Sequence, residues 1–262
     1  MDEESVKAEP PARNSEQLIM RPATKADLDS ITWIVEGGFP DDPGCSYKYP
    51  YRAEYPADFW KWTRREYEEY LDQPEKYVTL VTTAPVSVDG GKTVTHKPVS
   101  LAVWDISVET KSNGSDLGID KRRDANPGHM RVYASTMAYA FEKYFVRYGE
   151  RQIHLAWLIT HPDFRRRGAG TMLCDWGRDM ASQRGWMWTV IASPMGMSLY
   201  QHLGWNMVGT ETIRVQEEDE SVDIYIMEER FKPAGWQASV VTPIATLASL
   251  SFGALYYIFG RT

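Results

Sequence analysis

Cysteine is scarce in this sequence. Among 262 residues there are two, Cys45 and Cys174. Neither stands in a metal-ligand spacing such as C-x-x-C, so no metal site is expected. Both read as buried thiols of a reducing compartment. Positive charge is also short. The 29 Lys and Arg against 36 Asp and Glu leave a net charge of −7. A nucleic-acid partner, which calls for a basic footprint, is thereby disfavoured. An acidic surface suits encounter with a cationic amine. The start of the chain lacks an apolar run: residues 1–17 are acidic and polar, and read as a disordered segment rather than a secretory signal. There is no internal repeat.

What is present is an ordinary globular mix, 43% hydrophobic and 25% charged, with ten Trp and fifteen Tyr. Aromatics in that number serve a core, and they also suit a pocket lined by flat side chains. Leu18–Arg21 reads as a strand, and Leu28, Ile31, Ile34 and Val35 recur at helical spacing up to Gly37-Gly38. The Pro/Gly/Asp stretch 39–44 reads as a loop, and 57–71 as a helix. Strands are expected at 77–83 and 99–106, joined across a turn at Gly90-Gly91. The polar stretch 108–128 reads as a mobile surface excursion. A helix with one apolar face is expected over 130–145, a strand over 153–160, a helix over 170–183, and a strand over 188–192. A short helix then carries Leu199 and Tyr200, and two closing strands lie near 210–215 and 222–227. Strands alternating with helices make this an α/β domain around one twisted sheet.

The most informative stretch runs strand, turn, basic-glycine loop, helix: Leu155 to Phe164, then Arg165-Arg166-Arg167-Gly168-Ala169-Gly170, then Thr171 onward. Glycines let the backbone bring several N–H groups to one point. The helix start behind them adds unpaired donors and the positive end of its dipole. Together with the arginines this is an anion site fit for a pyrophosphate. It is neither a Walker loop nor the dinucleotide pattern. For the loop on its own, a solvated basic turn is the lesser alternative.

The segment Arg165-x-x-Gly168-x-Gly170 resembles the acetyl-CoA signature Q/R-x-x-G-x-G/A of the GNAT (GCN5-related N-acetyltransferase) superfamily. Thr160-His161-Pro162-Asp163-Phe164 is similar to that family's strand end. Leu199-Tyr200-Gln201-His202-Leu203-Gly204-Trp205 resembles its second landmark, and Ser100-Leu101-Ala102-Val103-Trp104 its third strand. The resemblance spans about residues 18–231 and points to a fungal-type member. It implies a GNAT domain over 18–232, with a mixed, mostly antiparallel twisted sheet flanked by helices. It implies transfer of an acetyl group from acetyl-CoA to an amine by direct attack. The alternative is a non-catalytic acyl-CoA-binding or membrane-associated scaffold.

By position, the resemblance puts the backbone of Leu158, Ile159 and Thr160 against the pantetheine arm. It puts Arg165, Arg166, Arg167, Gly168, Ala169, Gly170 and Thr171 around the pyrophosphate. Tyr200 matches the family's general acid, which would protonate the departing thiolate; a core tyrosine is the bland alternative. His154 falls where many members carry a glutamate base, and an imidazole near neutral pH could do that work. A solvent-facing histidine, with Glu150 or Asp105 as base, is the rival. Asp41, Asp42, Tyr47, Tyr49, Tyr51 and Trp60 lie where the family often covers the acceptor, and could hold a cationic or aromatic amine. The acceptor is expected to be a small-molecule or peptide amine.

A tail over 233–262 exceeds what the domain needs. Ala234 to Gly260 carries no charged residue, longer than the roughly 18 residues that suggest a spanning helix. Trp236 and Tyr256-Tyr257 would mark its two interfaces. The tail reads as a hydrophobic, transmembrane helix anchoring a cytoplasmic catalytic domain to an intracellular membrane. Pro243 and several small polar residues favour the rival reading, a helix docked on protein.

Overall fold

The computed structural model describes residues 18–88, 93–107 and 118–230. The expected disordered segment 1–17, the Gly90-Gly91 turn and the C-terminal tail lie outside the described residues. So do residues 108–117 of the expected excursion.

Seven strands form one sheet in the order β1-β2-β3-β4-β5-β7-β6. They are β1 (Ile19–Pro22), β2 (Tyr77–Val88), β3 (Thr93–Asp105), β4 (Gln152–Thr160), β5 (Met187–Ala192), β6 (Asn206–Arg214) and β7 (Ser221–Arg230). All neighbouring pairs are antiparallel except β4 and β5. The expected mixed α/β architecture is therefore present. The strands β2 and β3 run longer than their β-branched cores predict, because an antiparallel partner extends pairing into residues of weak strand preference.

Two features of β4 shape everything downstream. It pairs in parallel with β5 only from Gln152–Leu155 opposite Met187–Val190. Past Leu155 the two strands part, so the β5 side of β4 is left without a strand partner. On its other side β4 keeps pairing with β3, but the register slips: Val103 faces Trp157 and Trp104 faces Leu155. Ala156 is the extra residue of a bulge.

Side-chain alternation then divides the sheet into two faces. Trp104, Ile153, Leu155 and Trp188 enter one core with Leu173, Cys174 and Ala181 of a helix, α5 (Ala169–Arg184). Leu101, Val103 and Ile159 enter the other, against helices on the opposite face. Those are α1 (Leu28–Gly38), which supplies Leu28, Ile31, Ile34 and Val35, and α3 (Pro56–Leu71), which supplies Tyr67. Close approach needs glycine at two points. A Cβ at Gly177 would fall 2.3 Å from the Trp104 ring, and one at Gly38 2.8 Å from the Thr160 carbonyl oxygen.

The expected loop at 39–44 ends in a short helix, α2 (Pro43–Lys48). Asp42 caps it by accepting from the Gly44 N–H at 2.8 Å, and Pro43 occupies its first turn. The punctuation that reads as loop is here helix-start chemistry. The described part of the stretch read as a mobile surface excursion also differs. Gly118, Arg122, Asp124 and Ala125 are buried, and the side chains of Arg122 and Asp124, 2% and 0% exposed, pair at 2.9 Å through Nε. A charge pair removed from water in this way pins its loop, since separating it would leave a buried ion alone. Asn126 then caps α4 (Pro127–Tyr144), accepting from Gly128 and His129 N–H groups.

Candidate active site

Where β4 and β5 part, a cleft of about 860 Å³ opens. It extends from the loop before α5 through the gap in the sheet to α2, α3 and α4. It is of a size that takes a drug-sized ligand or larger.

Its first wall is the loop. Leu158, Ile159, Thr160, Arg165, Arg166, Gly168, Ala169, Gly170 and Thr171 all line the cleft. Arg166 and Gly168 are left-handed, at φ 62° and 92°. Alternation into left-handed backbone turns successive N–H groups toward one point, an anion-binding concavity. The helix α5 starts at once behind it, so its free N–H groups add to the same point.

The three arginines divide their labour. Arg165 is a clamp: its Nε donates to the Thr160 carbonyl at 3.2 Å, one terminal nitrogen donates to the Gly38 carbonyl at 2.8 Å, and the other pairs with Asp41. It fastens the end of β4 to the end of α1. Arg166 is exposed beside the cleft. Arg167 turns away, donating to the Asp163 carbonyl at 2.7 Å and lying over the Phe164 ring, and it is not among the cleft residues.

Tyr200 lies on α6 (Pro194–His202), which Ser193 caps. It faces the cleft, 5% exposed. Its carbonyl accepts from the Trp205 N–H at 3.0 Å, and Gly196 leaves room for its ring. Burial raises its phenol well above the ordinary value, with the nearby Cys174 and Asp42 acting in the same direction. The phenol thus keeps its proton throughout the neutral range. Cys174 itself is core, its thiol pushed up by burial to about 12, which makes it a poor nucleophile.

His154 does not face solvent. It is buried against Phe141 and Phe145, with Nδ1 3.0 Å from the Thr189 hydroxyl, and it touches the cleft. Burial lowers its pKa from 6.5 to about 4. The imidazole is therefore neutral at neutral pH, with Nδ1 held at the Thr189 hydroxyl. Glu150 is exposed and outside the cleft. The Asp105 carboxylate lines the cleft but accepts from the Ser107 N–H and hydroxyl.

The shift at His154 has a stability consequence. Between pH 6.5 and about 4 the unfolded chain binds a proton at this residue and the folded chain does not. Stability therefore falls as pH drops through that window, by up to about 1.4 kcal/mol per pH unit. Thermal unfolding from pH 7 to 4.5 is expected to show a shallower decline in His154→Gln than in the wild type. Parallel curves would mean that the imidazole is solvated in the folded state.

The acceptor side departs furthest from the sequence reading. Of the residues expected there, Asp42 and Tyr49 line the cleft, while Asp41, Tyr47, Tyr51 and Trp60 do not. Asp41 is exposed and held by Arg165. Tyr47 is buried against His129, ring centroids 4.0 Å apart. Trp60 is half-buried on α3. In their place stand Lys48, Glu66, Tyr70 and the Trp157 side chain.

The Trp157 indole donates to the Tyr70 hydroxyl at 3.0 Å, and that hydroxyl reaches the Glu66 carboxylate at 3.5 Å. Burial raises the Glu66 pKa, opposed by Lys48. The Lys48 ammonium lies 4.3 Å from the Tyr133 ring centroid and 5.1–5.3 Å from those of Phe39, Tyr49 and Trp157. Removing an ammonium from water costs several kcal/mol, and cation–π contacts of about 0.5–2 kcal/mol offset part of that. The Tyr-rich run 47–55 is the one sequence signal that pointed here.

Comparison with known proteins agrees with the fold. Residues 131–217, from α4 through the loop and α5 into the end of the sheet, match the family described as the acetyltransferase (GNAT) domain. A curated acetyltransferase of Stachybotrys chartarum is 22% identical over 197 residues, covering 72% of this chain and 81% of that one. A solved structure titled histone acetyltransferase HPA2 and related acetyltransferase, from Corynebacterium glutamicum, covers 86% of this chain and 99% of its own at 16% identity and a TM-score of 0.50. The ribosomal-protein-S18-alanine N-acetyltransferase of Escherichia coli covers 87% and 100% at 14% identity and a TM-score of 0.47. At its identity the Corynebacterium structure speaks to fold alone. Sheet, cleft and family match together define an acyl-CoA-dependent acetyltransferase. Over residues 131–217 the chain is similar to the GNAT superfamily.

Proposed function

We propose that this protein transfers the acetyl group of acetyl-CoA directly to an amine. The observation that carries this reading is the unpaired side of β4 running into the left-handed loop and the start of α5. The backbone of Leu158 and Thr160 offers hydrogen-bonding groups to an extended pantetheine arm, as a further strand would. The amides from Arg166 to Thr171 hold the pyrophosphate, and acetyl-CoA serves as co-substrate. Arg165 takes part indirectly, by holding the strand end in place.

The amine attacks the thioester carbonyl, a C–N bond forms, and the C–S bond breaks with its electron pair leaving on sulfur. Tyr200 donates its proton to that thiolate. The attacking nitrogen must first lose a proton. Glu66 is the cleft carboxylate whose pKa is raised, which improves it as a base. It is taken as base in preference to His154, which Phe141, Phe145 and the Thr189 hydroxyl enclose.

Release of CoA thiol by the full-length chain tests the reading, with acetyl-CoA and a panel of amines. Thiol release that depends on an amine, with an N-acetyl product by mass, is expected. Glu66→Gln should lower kcat/KM at neutral pH by about 10²-fold and lose less at pH 9.5, where more amine is already neutral. His154→Gln should stay within a few-fold of wild type. Binding of acetyl-CoA with no amine turned over would support the scaffold instead.

The GNAT domain is taken to span residues 18–232 and to work in the cytoplasm, with the uncharged run after Ala234 as its membrane anchor. Among the described residues no helix is long and apolar enough to cross a membrane, so the run itself must be tested. Carbonate extraction of membranes from expressing cells should leave the full chain in the pellet. Its full release into the supernatant would remove the anchor.

A further inference from the structure

Lys48 stands out among the buried charges. It is 6% exposed, faces the cleft, and four aromatic rings surround its ammonium. Among the described residues it has no carboxylate within ion-pair distance and no hydrogen-bond acceptor. The contrast is Arg122, equally buried, which pairs with Asp124 through two of its nitrogens. Where a buried cation serves the fold, this chain supplies its counter-ion.

The nearby carboxylates are committed elsewhere. Asp42 caps α2, and Glu66 is reached by Tyr70. Burial lowers the Lys48 pKa, and both carboxylates oppose that through space without touching it. The ammonium therefore opens on a ligand cleft with no protein acceptor beside it. The rings exclude water from the carbon skeleton of whatever enters beside them.

We propose that the acceptor amine carries a carboxylate, and that Lys48 is the residue that binds it. The inference rests on the amine-acetyltransferase reading and names the substrate class for it. The pyrophosphate of the co-substrate is not the missing anion. Its cradle precedes α5, on the face of Trp104 and Leu155, whereas Phe39 and Trp157, which wall Lys48, pack on the face of α1 and α3. An amino acid or an amino-carboxylate peptide end fits both groups: its carboxylate on Lys48, its amine toward Glu66. The cationic acceptor suggested by net charge does not meet this wall, because Lys48 already fills its aromatic cage.

Two measurements on the full-length chain test this. In the first, thermal unfolding is followed without acetyl-CoA in the presence of acetate, butyrate, octanoate or 3-phenylpropionate, each against its uncharged amide. At least one carboxylate should raise the wild-type midpoint by about 2 °C or more where its amide does not. Lys48→Gln should lose the shift, and Lys48→Arg, which keeps the charge, should retain part of it. Lys48→Met serves if the Gln variant does not fold.

In the second, L-phenylalanine is compared with 2-phenylethylamine, and L-lysine with 1,5-diaminopentane, as acceptors. The carboxylated member should have at least tenfold higher kcat/KM, and Lys48→Gln should erase that ratio. The proposal is overturned if no carboxylate stabilises the wild type. It is equally overturned if carboxylates stabilise Lys48→Gln as well, or if the decarboxylated amines are preferred. The unfolding measurement needs no turnover. A carboxylate shift without acetyl transfer would therefore sink the enzyme reading and leave the subsite standing.

Discussion

Gly170→Asp should abolish measurable acetyl-CoA binding while leaving the fold as stable as before. A Cβ at Gly170 meets only ordinary contacts, Leu199 at 3.7 Å and Leu158 and the Thr160 hydroxyl at 3.9 Å. The backbone there is not left-handed, unlike that of Gly168. Substitution therefore brings neither clash nor strain. The second residue of α5 is where a carboxylate interacts well with the helix dipole, by about 0.3–1 kcal/mol. That same carboxylate occupies the point to which the loop amides converge, and it repels a pyrophosphate. Calorimetry should show affinity reduced at least 100-fold, about 2.7 kcal/mol, with an unchanged or slightly higher Tm. Retained affinity would move the phosphates away from this helix end. A lost fold would make the glycine structural.

Tyr200→Phe is the second large effect. The substitution removes one oxygen from a ring that Trp205 and Gly196 hold in place, so packing is preserved. If the phenol protonates the departing thiolate, kcat should fall about 10²-fold, with KM for acetyl-CoA within about twofold. The wild-type profile should show no alkaline fall from this group below pH 10, because burial raises its pKa well above that. A raised KM with kcat intact would make Tyr200 a wall of the cleft and leave thiolate protonation to water.

The loop proposed to hold the cofactor was legible in the sequence and the wall proposed for the acceptor nearly opaque, for a physical reason. The anion cradle is local: strand end, left-handed turn and helix start follow one another from Leu158 to Thr171, so spacing along the chain is spacing in space. Helices with one apolar face, such as α1 and α5, announce themselves in the same way. The acceptor wall is assembled from afar. Lys48 comes from α2, Glu66 and Tyr70 from α3, Tyr133 from α4 and Trp157 from β4, and no window of sequence contains two of these elements in contact. Asp41 and Tyr47 had the right composition for a binding wall but found partners in Arg165 and His129. His154 was placed correctly along the strand. Its burial, which depends on α4 packing over it, was not readable from β4 alone.

The bulge at Ala156 sets the phase of the strand that separates the two halves of the cleft. Strand side chains alternate with a period of two, and one surplus residue moves everything after it onto the other side. Were Ala156 paired regularly instead of bulged, Trp157 and Ile159 would exchange sides with Leu158. Trp157 would leave Lys48 for the pantetheine side, and Ile159 would quit its contacts with α1. The chain therefore counts differently before and after this point, much as a reading frame does. Substitutions along β4 alter one side chain at a time. A single-residue insertion beyond the bulge, paired without a second bulge, would move every later residue of β4 to the opposite wall.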